Sequence, residues 1–272
     1  MNAPFPDAFS KYRTVFAMSV QRELTYRASF LMDRARSVTI LIAFYAFWSA
    51  IFQDRADFAG YTRAQMFTYV LGMNVLNALV FSDKTWEMIY EINTGKISSY
   101  LIRPISYIGA CVSRDAADKL TQMLSAVIEV ALAWWLLRVP LYAPRDPWTY
   151  AAFAAAALLA VVLYFLMSYA VSSLAFWTAE SGGPRFCFEL FLAFASGGFF
   201  PLDVLPGLIR RTFESLPFAS LLFFPLNVFL ERLGPGDLAR GFAVQVFWIV
   251  CSGFLVRALW RRGLRAYGSE GG

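Results

Sequence analysis

The side chains that could carry out chemistry are few in this chain, and their spacing excludes the common catalytic sites. The 272 residues contain no histidine, so imidazole can supply neither a general base nor a metal ligand. There is no HExxH motif, no paired-cysteine ligand motif and no GxSxG nucleophile motif. Gly95-Lys96 lacks the preceding glycine that a GxxxxGK[ST] phosphate loop requires. We therefore expect no catalytic site, no metal and no cofactor on this chain.

Two carboxylates lie within apolar stretches, at Glu129 and Glu189. An ionised group at the centre of a bilayer costs about 2.5–3.5 kcal/mol on insertion scales, so each should face protein, a partner group or water. Each carboxylate could accept a cationic or polar substrate on a translocation path, or it could be a paired or protonated structural acid. Both interpretations stay open for Glu129, whereas nearby Arg185 favours the structural one for Glu189. Asn74 and Asn77 are further candidate path residues, although such amides more often bond neighbouring helices.

Six apolar stretches must position these residues, and they predict an all-α polytopic membrane protein. The chain is 58% hydrophobic and 16% charged, whereas soluble domains are roughly 25% charged. About 20 mainly apolar residues cross the hydrocarbon core of a bilayer as a helix. The predicted spans are residues 37–52, 64–81, 120–137, 148–177, 186–200 and 238–260.

The N-terminal segment 1–36 is too polar to span, and it predicts an amphipathic interfacial helix. Apolar residues recur at helical spacing from position 9 to position 31, with Lys11 and Arg22 on other faces. An ordinary cytoplasmic helix is the alternative. The remaining chain, 37–272, is predicted to be the six-helix transmembrane domain.

Glycine and proline interrupt the apolar sequence after the fifth predicted span. We expect residues 199–232 to form an extracytoplasmic re-entrant segment between spans five and six, with a short interfacial helix near 204–214. Non-helical backbone at membrane depth is tolerated only against protein or a cavity. The residues that mark this segment are Gly197, Gly198, Pro201, Pro206 and Pro217.

The distribution of lysine and arginine predicts the orientation. With six spans and a cytoplasmic N-terminus, 16 of the 24 basic residues lie inside. A seventh span would place the C-terminal arginine cluster outside, against the positive-inside rule. We therefore predict an inner-membrane, multi-pass protein with both termini in the cytoplasm.

The longest cytoplasmic loop, residues 82–119, contains a predicted helix over 83–94. Ser82 or Asp83 can cap its start, and Gly95 can end it. Its apolar and acidic side chains suit docking into a partner's groove, whereas the alternative is that the aromatic residues only anchor at the interface. The candidate docking residues are Asp83, Trp86, Glu87, Tyr90, Glu91 and Gly95.

These segments together resemble the ABC-2-type transporter permeases. Residues 91–97 (EINTGKI), followed by 101–105 (LIRPI), look like that family's E-I-x-x-G-x-(hydrophobic)…L-L-x-P-(hydrophobic) segment. Residues 196–202 (SGGFFPL) with Leu205-Pro206 are similar to its re-entrant segment. The resemblance covers essentially the whole chain and points to the branch of short, all-membrane subunits described as ABC-2 family transporter protein.

The resemblance implies an ATP-binding cassette exporter whose permease pairs with a second copy or a homologous permease. Two separate ATPase subunits, which would carry the ATP and Mg²⁺, would dock on the cytoplasmic side through the helix at 83–94. The segment 9–33 would match the family's elbow helix. An aromatic content of 18% suits an amphipathic or lipophilic substrate.

Two other function classes remain open. A secondary transporter or channel would need no nucleotide-binding partner, and it would favour broken polar spans and related halves, of which no convincing repeat is seen. A membrane scaffold is the third possibility, but it leaves the re-entrant segment without a purpose. We expect lipid contact and no nucleic-acid partner, because the basic residues flank apolar spans.

Overall fold

The computed structural model describes residues 8–25, 27–102 and 105–270, so Arg103 and Pro104 of the family-like segment lie outside it. The chain is 78% helical, which confirms the all-α class. A two-stranded antiparallel hairpin pairs β1 (Asp57–Phe58) with β2 (Tyr61–Thr62). The helices are α1 (Ala8–Thr25), α2 (Arg27–Ile51), α3 (Arg63–Val80), α4 (Lys84–Asn93), α5 (Ser98–Leu101), α6 (Tyr107–Leu137), α7 (Pro147–Ser172), α8 (Gly182–Ala195), α9 (Gly207–Ser215), α10 (Phe223–Phe229) and α11 (Pro235–Glu270).

Four helical segments of the described chain are long and apolar enough to cross a membrane: Arg63–Asn93, Tyr107–Leu137, Pro147–Phe176 and Pro235–Tyr267. A polytopic membrane protein is thereby confirmed. The other two predicted spans fall on α2 and α8, which are not among these four. The first half of α2 carries several charges, and α8 has only 14 residues. Six spans and a re-entrant hairpin therefore stay predictions.

The connection between α3 and α6 is shorter than the predicted loop 82–119, because α6 already begins at Tyr107. Ser106 caps that helix by accepting a hydrogen bond from the Gly109 N–H at 3.4 Å. The first turns of α6 carry four charged residues, and for this reason the sequence predicts a polar loop there. In the structure these charges are largely buried and paired, so the helix extends through them.

The N-terminal region divides into two helices rather than forming one interfacial helix to residue 33. Helix α1 ends at Thr25, and α2 begins at Arg27 and continues through the predicted first span. The predicted boundary between residues 36 and 37 therefore falls inside α2. Helix α1 packs along α6.

The core is built mainly from α3, α7 and the short helix α10. Pro147 is the first residue of α7, and the Asp146 carboxylate caps it by accepting from the Trp148 N–H at 2.9 Å. Six of the seven residues of α10 are buried, and the helix packs against both α7 and α3. The second half of the predicted re-entrant segment thus lies against protein, as non-spanning backbone in a membrane requires.

Candidate functional site

A cavity of about 410 Å³ lies between α2, α3, α6 and α8. This volume is in the range of small-molecule binding sites. Apolar side chains such as Leu41, Phe44 and Val70 line one part of it. Its polar part contains Arg34, Ser37, Asp118 and Gln122, together with three of the predicted path residues, Asn74, Asn77 and Glu189.

Glu129, the fourth predicted path residue, lies behind the polar wall and is 8% exposed. Its carboxylate accepts hydrogen bonds from Ser37 Oγ at 2.7 Å and from the Arg34 guanidinium at 3.1 Å. Asn74 Nδ2 lies 3.5 Å from the same carboxylate. Arg34, Ser37 and Asn74 line the cavity, so Glu129 lies one side chain away from it. Its hydrogen bonds favour the interpretation of Glu129 as a paired structural acid.

The two asparagines differ in their bonding. Asn74 Nδ2 donates to Ser37 Oγ at 3.0 Å and so joins α3 to α2, as expected of an amide between membrane helices. Asn77 Nδ2 donates to the Met73 carbonyl of its own helix at 2.8 Å. Asn74 Oδ1 and Arg34 Nε are buried and have no hydrogen-bond partner among the described residues. Both residues line the cavity, so these atoms mark its polar wall.

Helix α4 begins and ends as the sequence predicts. Ser82 Oγ accepts from the Lys84 N–H at 3.2 Å, and Gly95 takes a positive φ of 76° just after the helix, where a Cβ would be strained. The buried face of α4, Met88, Ile89 and Ile92, packs with α7 and the turn Ser173–Phe176.

Three of the six predicted docking residues are held within the chain. Trp86 Nε1 donates to Glu189 Oε1 at 2.7 Å. Glu87 pairs with Arg22 of α1 and with Arg114 of α6. Glu91 is buried, and it accepts from Arg114 at 2.8 Å and from the Tyr107 hydroxyl at 2.6 Å.

The other predicted docking residues, Asp83, Tyr90 and Gly95, are exposed. Tyr90 is 57% exposed, and the Lys96 ammonium lies 4.7 Å from the centre of its ring. Asn93 is exposed beside them. We call Tyr90 and Asn93, with Lys96 just beyond the end of the helix, the free face of α4, meaning that these side chains are exposed; Asn93 Nδ2 donates to the Ala179 carbonyl at 3.0 Å. Asn93 and Lys96 lie outside the predicted set, although the one-turn spacing of Tyr90 and Asn93 could have identified Asn93.

Glu189 is paired, which confirms the predicted contact with Arg185. Arg185 Nε donates to Glu189 Oε1 at 2.8 Å, and its guanidinium also donates to the Ser168 carbonyl at 3.0 Å. Arg185 is 0% exposed, so removing its carboxylate partner would leave a buried charge. The sequence did not indicate that Trp86 shares this carboxylate, because the two residues are 103 positions apart.

Helix α4 is connected to the cavity wall at three points. Ser82 and Asp83, which directly precede the helix, line the cavity. Trp86 holds Glu189 of α8, and Lys84 lies 3.5 Å from Asp118 of α6. These connections link α4 to cavity-lining groups of α6, of α8 and of the segment between α3 and α4.

Helix α1 is joined to α4 by ion pairs and to the start of α6 by a hydrogen bond. Lys84 Nζ donates to Glu23 Oε1 at 2.5 Å, and Arg22 pairs with Glu87. The Tyr12 hydroxyl accepts from the Ser106 N–H at 3.2 Å, at the start of α6. We call the ion pairs that join α1, α4 and α6 the α4 network.

A second polar cluster closes the far end of α3. The Tyr61 hydroxyl donates to Asp203 Oδ2 at 2.5 Å, and Arg232 stacks on the Tyr61 ring with its guanidinium 3.5 Å from the ring centre. Arg210 pairs with Asp203 at 2.6 Å. Burial, followed by the charge of Asp203, raises the pKa of Tyr61 well above its usual value. We call these residues the Tyr61 cluster; it fastens the segment 199–232 to the β-hairpin.

The residues that mark this segment occupy its bends. Gly197 has a φ of 83° and its carbonyl accepts from the Tyr69 hydroxyl at 2.9 Å. A Cβ on Gly197 would come within 2.7 Å of that hydroxyl, so only glycine fits. Gly198 lines the cavity. Pro201 and Pro206 precede the turn Leu202–Val204 and α9, and Pro217 is buried in the return toward α10.

Glu231 joins the chain after α10 to the start of α7. Its carboxylate accepts from the Tyr142 hydroxyl at 2.5 Å, from the backbone N–H of Arg145 and Asp146 at 3.1 Å each, and from Thr149 Oγ1 at 3.0 Å. These bonds, the one from Tyr142 foremost, lower the pKa of Glu231 to about 2.

A helical multi-pass membrane protein with a mixed polar and apolar cavity, and a helix linked to the wall of that cavity, has the construction of a transporter's membrane subunit. The chain belongs to the ABC-2 family transporter proteins, whose family model matches residues 38–271. The match confirms the resemblance seen in the sequence, and it begins inside α2, so α1 lies outside it. Among curated proteins, no sequence matches this chain. Subunits of this family are generally non-catalytic permeases that work with ATP-binding partners.

Proposed function

We propose that this chain is the permease subunit of an ATP-binding cassette exporter that moves an amphipathic or lipophilic compound. The family match supports the permease role. The observation that carries the mechanism is the triple connection between α4 and the cavity. The chain has no nucleotide-binding motif, so the energy for export must come from another subunit. The movement of that subunit then has to reach the cavity through a connection of this kind.

In this proposal α2 and α8 complete six spans, and both termini face the cytoplasm of an inner-membrane protein. Residues 199–232 form the extracytoplasmic re-entrant segment. A second copy or a homologous permease encloses the pathway with this one. Two ATPase subunits bind ATP and Mg²⁺ and dock at the free face of α4.

Dimerisation of the ATPases on binding ATP would displace α4, and the three connections would carry that displacement to the cavity. Trp86 would move Glu189 of α8, and Lys84 would move Asp118 of α6. The cavity would then change from inward-facing to outward-facing. Rigid helices joined by ion pairs transmit such motion because the packed arrangement has few intermediate states.

The lining of the cavity supports an amphipathic substrate. Apolar side chains of α2 and α3 suit a lipophilic part, and the polar wall at Ser37, Asn74 and Asn77 suits hydroxyl or amide groups. Glu129 and Glu189 are both paired, so a purely cationic substrate would have to displace Arg34 or Arg185.

Co-purification with the products of the neighbouring genes tests the proposal. The wild-type chain should retain an ATPase, and the double variant Tyr90→Glu/Lys96→Glu should lose it by roughly 10-fold or more, because about 1.4 kcal/mol of lost contact is a factor of ten. The matched control is Gln53→Glu/Arg55→Glu, which makes the same change of charge at exposed positions outside the spans and away from α4.

Retention of ATPase by the control and loss by the free-face variant, with equal folding of both, is the expected result. Retention by both would remove the docking assignment. Failure of the folded wild-type chain to retain any ATPase, together with uptake into proteoliposomes driven by a pH or sodium gradient, would replace the proposal with a secondary transporter.

A further inference from the structure

The C-terminal end of α11 presents a row of arginines that the transporter mechanism does not use. Helix α11 has 36 residues and is about 54 Å long, whereas the hydrocarbon core of a bilayer is about 30 Å thick. Its last turns must therefore extend through the headgroup layer. Arg257, Arg261, Arg262 and Arg265 lie there and are all exposed.

These arginines continue the face of α11 that is most exposed in its apolar part. Phe247 and Phe254 are 59% and 70% exposed, and they lie seven residues, or two turns, apart. Arg261 follows Phe254 by another two turns, and Arg265 follows one turn later. The same helix face therefore changes from phenylalanine to arginine along its length.

The opposite face of this end of α11 is packed against the protein. Trp260 stacks on Tyr107 with ring centres 5.4 Å apart, and the Tyr267 hydroxyl lies 3.0 Å from Ser98 Oγ. Gly263 approaches the Phe176 ring so closely that a Cβ would meet it at 2.3 Å. The helix cannot turn its arginines inward, so they must face whatever surrounds the subunit.

The arginines also have no acidic partner in the part of the chain that the structure describes. Residues 255–267 of α11 contain no aspartate or glutamate. None of the ion pairs among the described residues includes Arg257, Arg261 or Arg265. Arginine at the end of a spanning helix extends to the headgroup layer, where phosphate oxygens can accept its hydrogen bonds.

We propose that the arginine face of α11, formed by Arg257, Arg261 and Arg265, binds the headgroups of anionic phospholipids. Lipid is the expected occupant because the phenylalanines and the arginines lie on one continuous face of the helix. The phenylalanines meet the acyl chains, so the arginines in the next turns meet the headgroups of the same lipids. A single net negative charge distinguishes phosphatidylglycerol from zwitterionic phosphatidylcholine, and basic residues near the membrane surface favour the anionic lipid.

Native mass spectrometry of the full-length purified chain tests this proposal by counting bound lipids. The chain is offered equal amounts of phosphatidylglycerol and phosphatidylcholine. We expect the wild type to bind phosphatidylglycerol with a preference of at least ~5-fold, the value for one arginine near an anionic surface. Arg257→Gln/Arg261→Gln/Arg265→Gln should lose most of that preference, and the corresponding triple lysine variant should keep it.

The matched control is Arg55→Gln/Arg138→Gln/Arg211→Gln, which removes three exposed arginines outside α11 and should keep the preference. No preference in the wild type, or equal preference in the triple glutamine variant of α11, would overturn the proposal. Unchanged lipid preference with loss of the co-purifying ATPase in that variant would also overturn it and would assign the face to the ATPase. Lipid counting needs no ATPase, so it stands apart from the test of the proposed function.

Discussion

The α4 network and the Tyr61 cluster are both polar, yet they hold the molecule together in different ways. The α4 network joins three helices through long side chains, as in Lys84–Glu23 at 2.5 Å and Arg114–Glu91 at 2.8 Å, and it leaves one side of α4 exposed. The Tyr61 cluster is compact. Its tyrosine is fully buried and its aspartate nearly so, and it joins a tight hairpin to the segment 199–232.

In the proposed mechanism the two clusters have different roles: the α4 network lies in the part of the molecule that moves, and the Tyr61 cluster lies in the part that stays fixed. In that mechanism, the ion pairs of the α4 network keep α4 joined to α1 and α6 when α4 is displaced, and so carry its movement to the cavity. A buried tyrosine with a short aspartate has one favourable geometry, so the Tyr61 cluster resists movement. We therefore expect variants of the Tyr61 cluster to change stability most, and variants of the α4–cavity connection to change coupling more than stability.

The largest expected effect is that of Asp203→Ala. It leaves Arg210 and Arg232 without their shared carboxylate, and the Tyr61 hydroxyl keeps only Asn227 Oδ1, at 3.1 Å, as an acceptor. Breaking a fully buried ion pair costs about 3–5 kcal/mol, and because Arg210 is 38% exposed we expect the lower end, about 3 kcal/mol. Thermal unfolding in detergent measures the loss. Asp237→Ala, at an exposed position in the first turn of α11, should change stability by less than about 0.5 kcal/mol. Equal unfolding temperatures for the two variants would contradict the role of the cluster.

Within the α4 network, Glu91→Gln should cost about 2 kcal/mol, since the half-buried Arg114 and the buried Tyr107 lose a charged acceptor. A loss of this size would assign Glu91 a role in stabilising the fold rather than a role in docking the ATPase. The same unfolding measurement checks it, with the exposed Glu180→Gln as the matched control. A stable Glu91→Gln protein that fails to retain the ATPase would restore Glu91 to the docking surface.

Trp86→Phe sharpens the comparison, because it removes the indole N–H that donates to Glu189 and leaves a smaller aromatic ring in its place. A hydrogen bond to a charged group contributes about 1.5–3 kcal/mol, so the connection between α4 and Glu189 should weaken while α4 stays folded. We expect ATPase association to persist and the substrate-stimulated rate of ATP hydrolysis to fall roughly 10-fold. Trp177→Phe, at a half-exposed tryptophan, is the control. Full stimulation in Trp86→Phe would show that this bond does not transmit movement.

The smallest expected effect is a pH dependence at Glu231. Its pKa is lowered from 4.5 to about 2, so its stabilising contribution is present above pH 4.5 and is lost as the pH falls through the folded-state value. The unfolding temperature of the wild type should therefore approach that of Glu231→Gln between pH 4.5 and pH 2. Tyr142→Phe should narrow the difference at neutral pH. A difference between wild type and Glu231→Gln that is constant over this range would refute the assignment.

The helix α4 and the bends of the segment 199–232 could be predicted from sequence because their signals are local. The Ser82 hydroxyl accepts a hydrogen bond at the start of α4, Gly95 ends the helix with a positive φ, and Gly197 is required where φ is positive again. Asn74, Asn77 and Glu189 were identified as polar residues in apolar stretches, and they do line one cavity.

The pairing of charges could not be predicted in the same way. Glu87 meets Arg22 across 65 positions, and Tyr61 meets Asp203 across 142, so no sequence period connects them. The start of α6 is predicted as a loop for a different reason: Asp115 and Lys119 look solvated in the sequence, although their i,i+4 spacing fits the buried ion pair that they form in the helix. Local rules locate elements, whereas tertiary partners decide which polar residues are free for function.

The most direct test of the account is the labelling rate of a cysteine at Asn77, in a chain whose native cysteines are replaced, within the complex that contains the ATPase. Trapping the ATPases in their ATP-bound dimer should change the labelling rate several-fold, and Trp86→Phe should abolish most of that change. A rate at Asn77 that is the same in the free and trapped states, or that changes equally in Trp86→Phe, would contradict the claim that α4 moves the cavity wall.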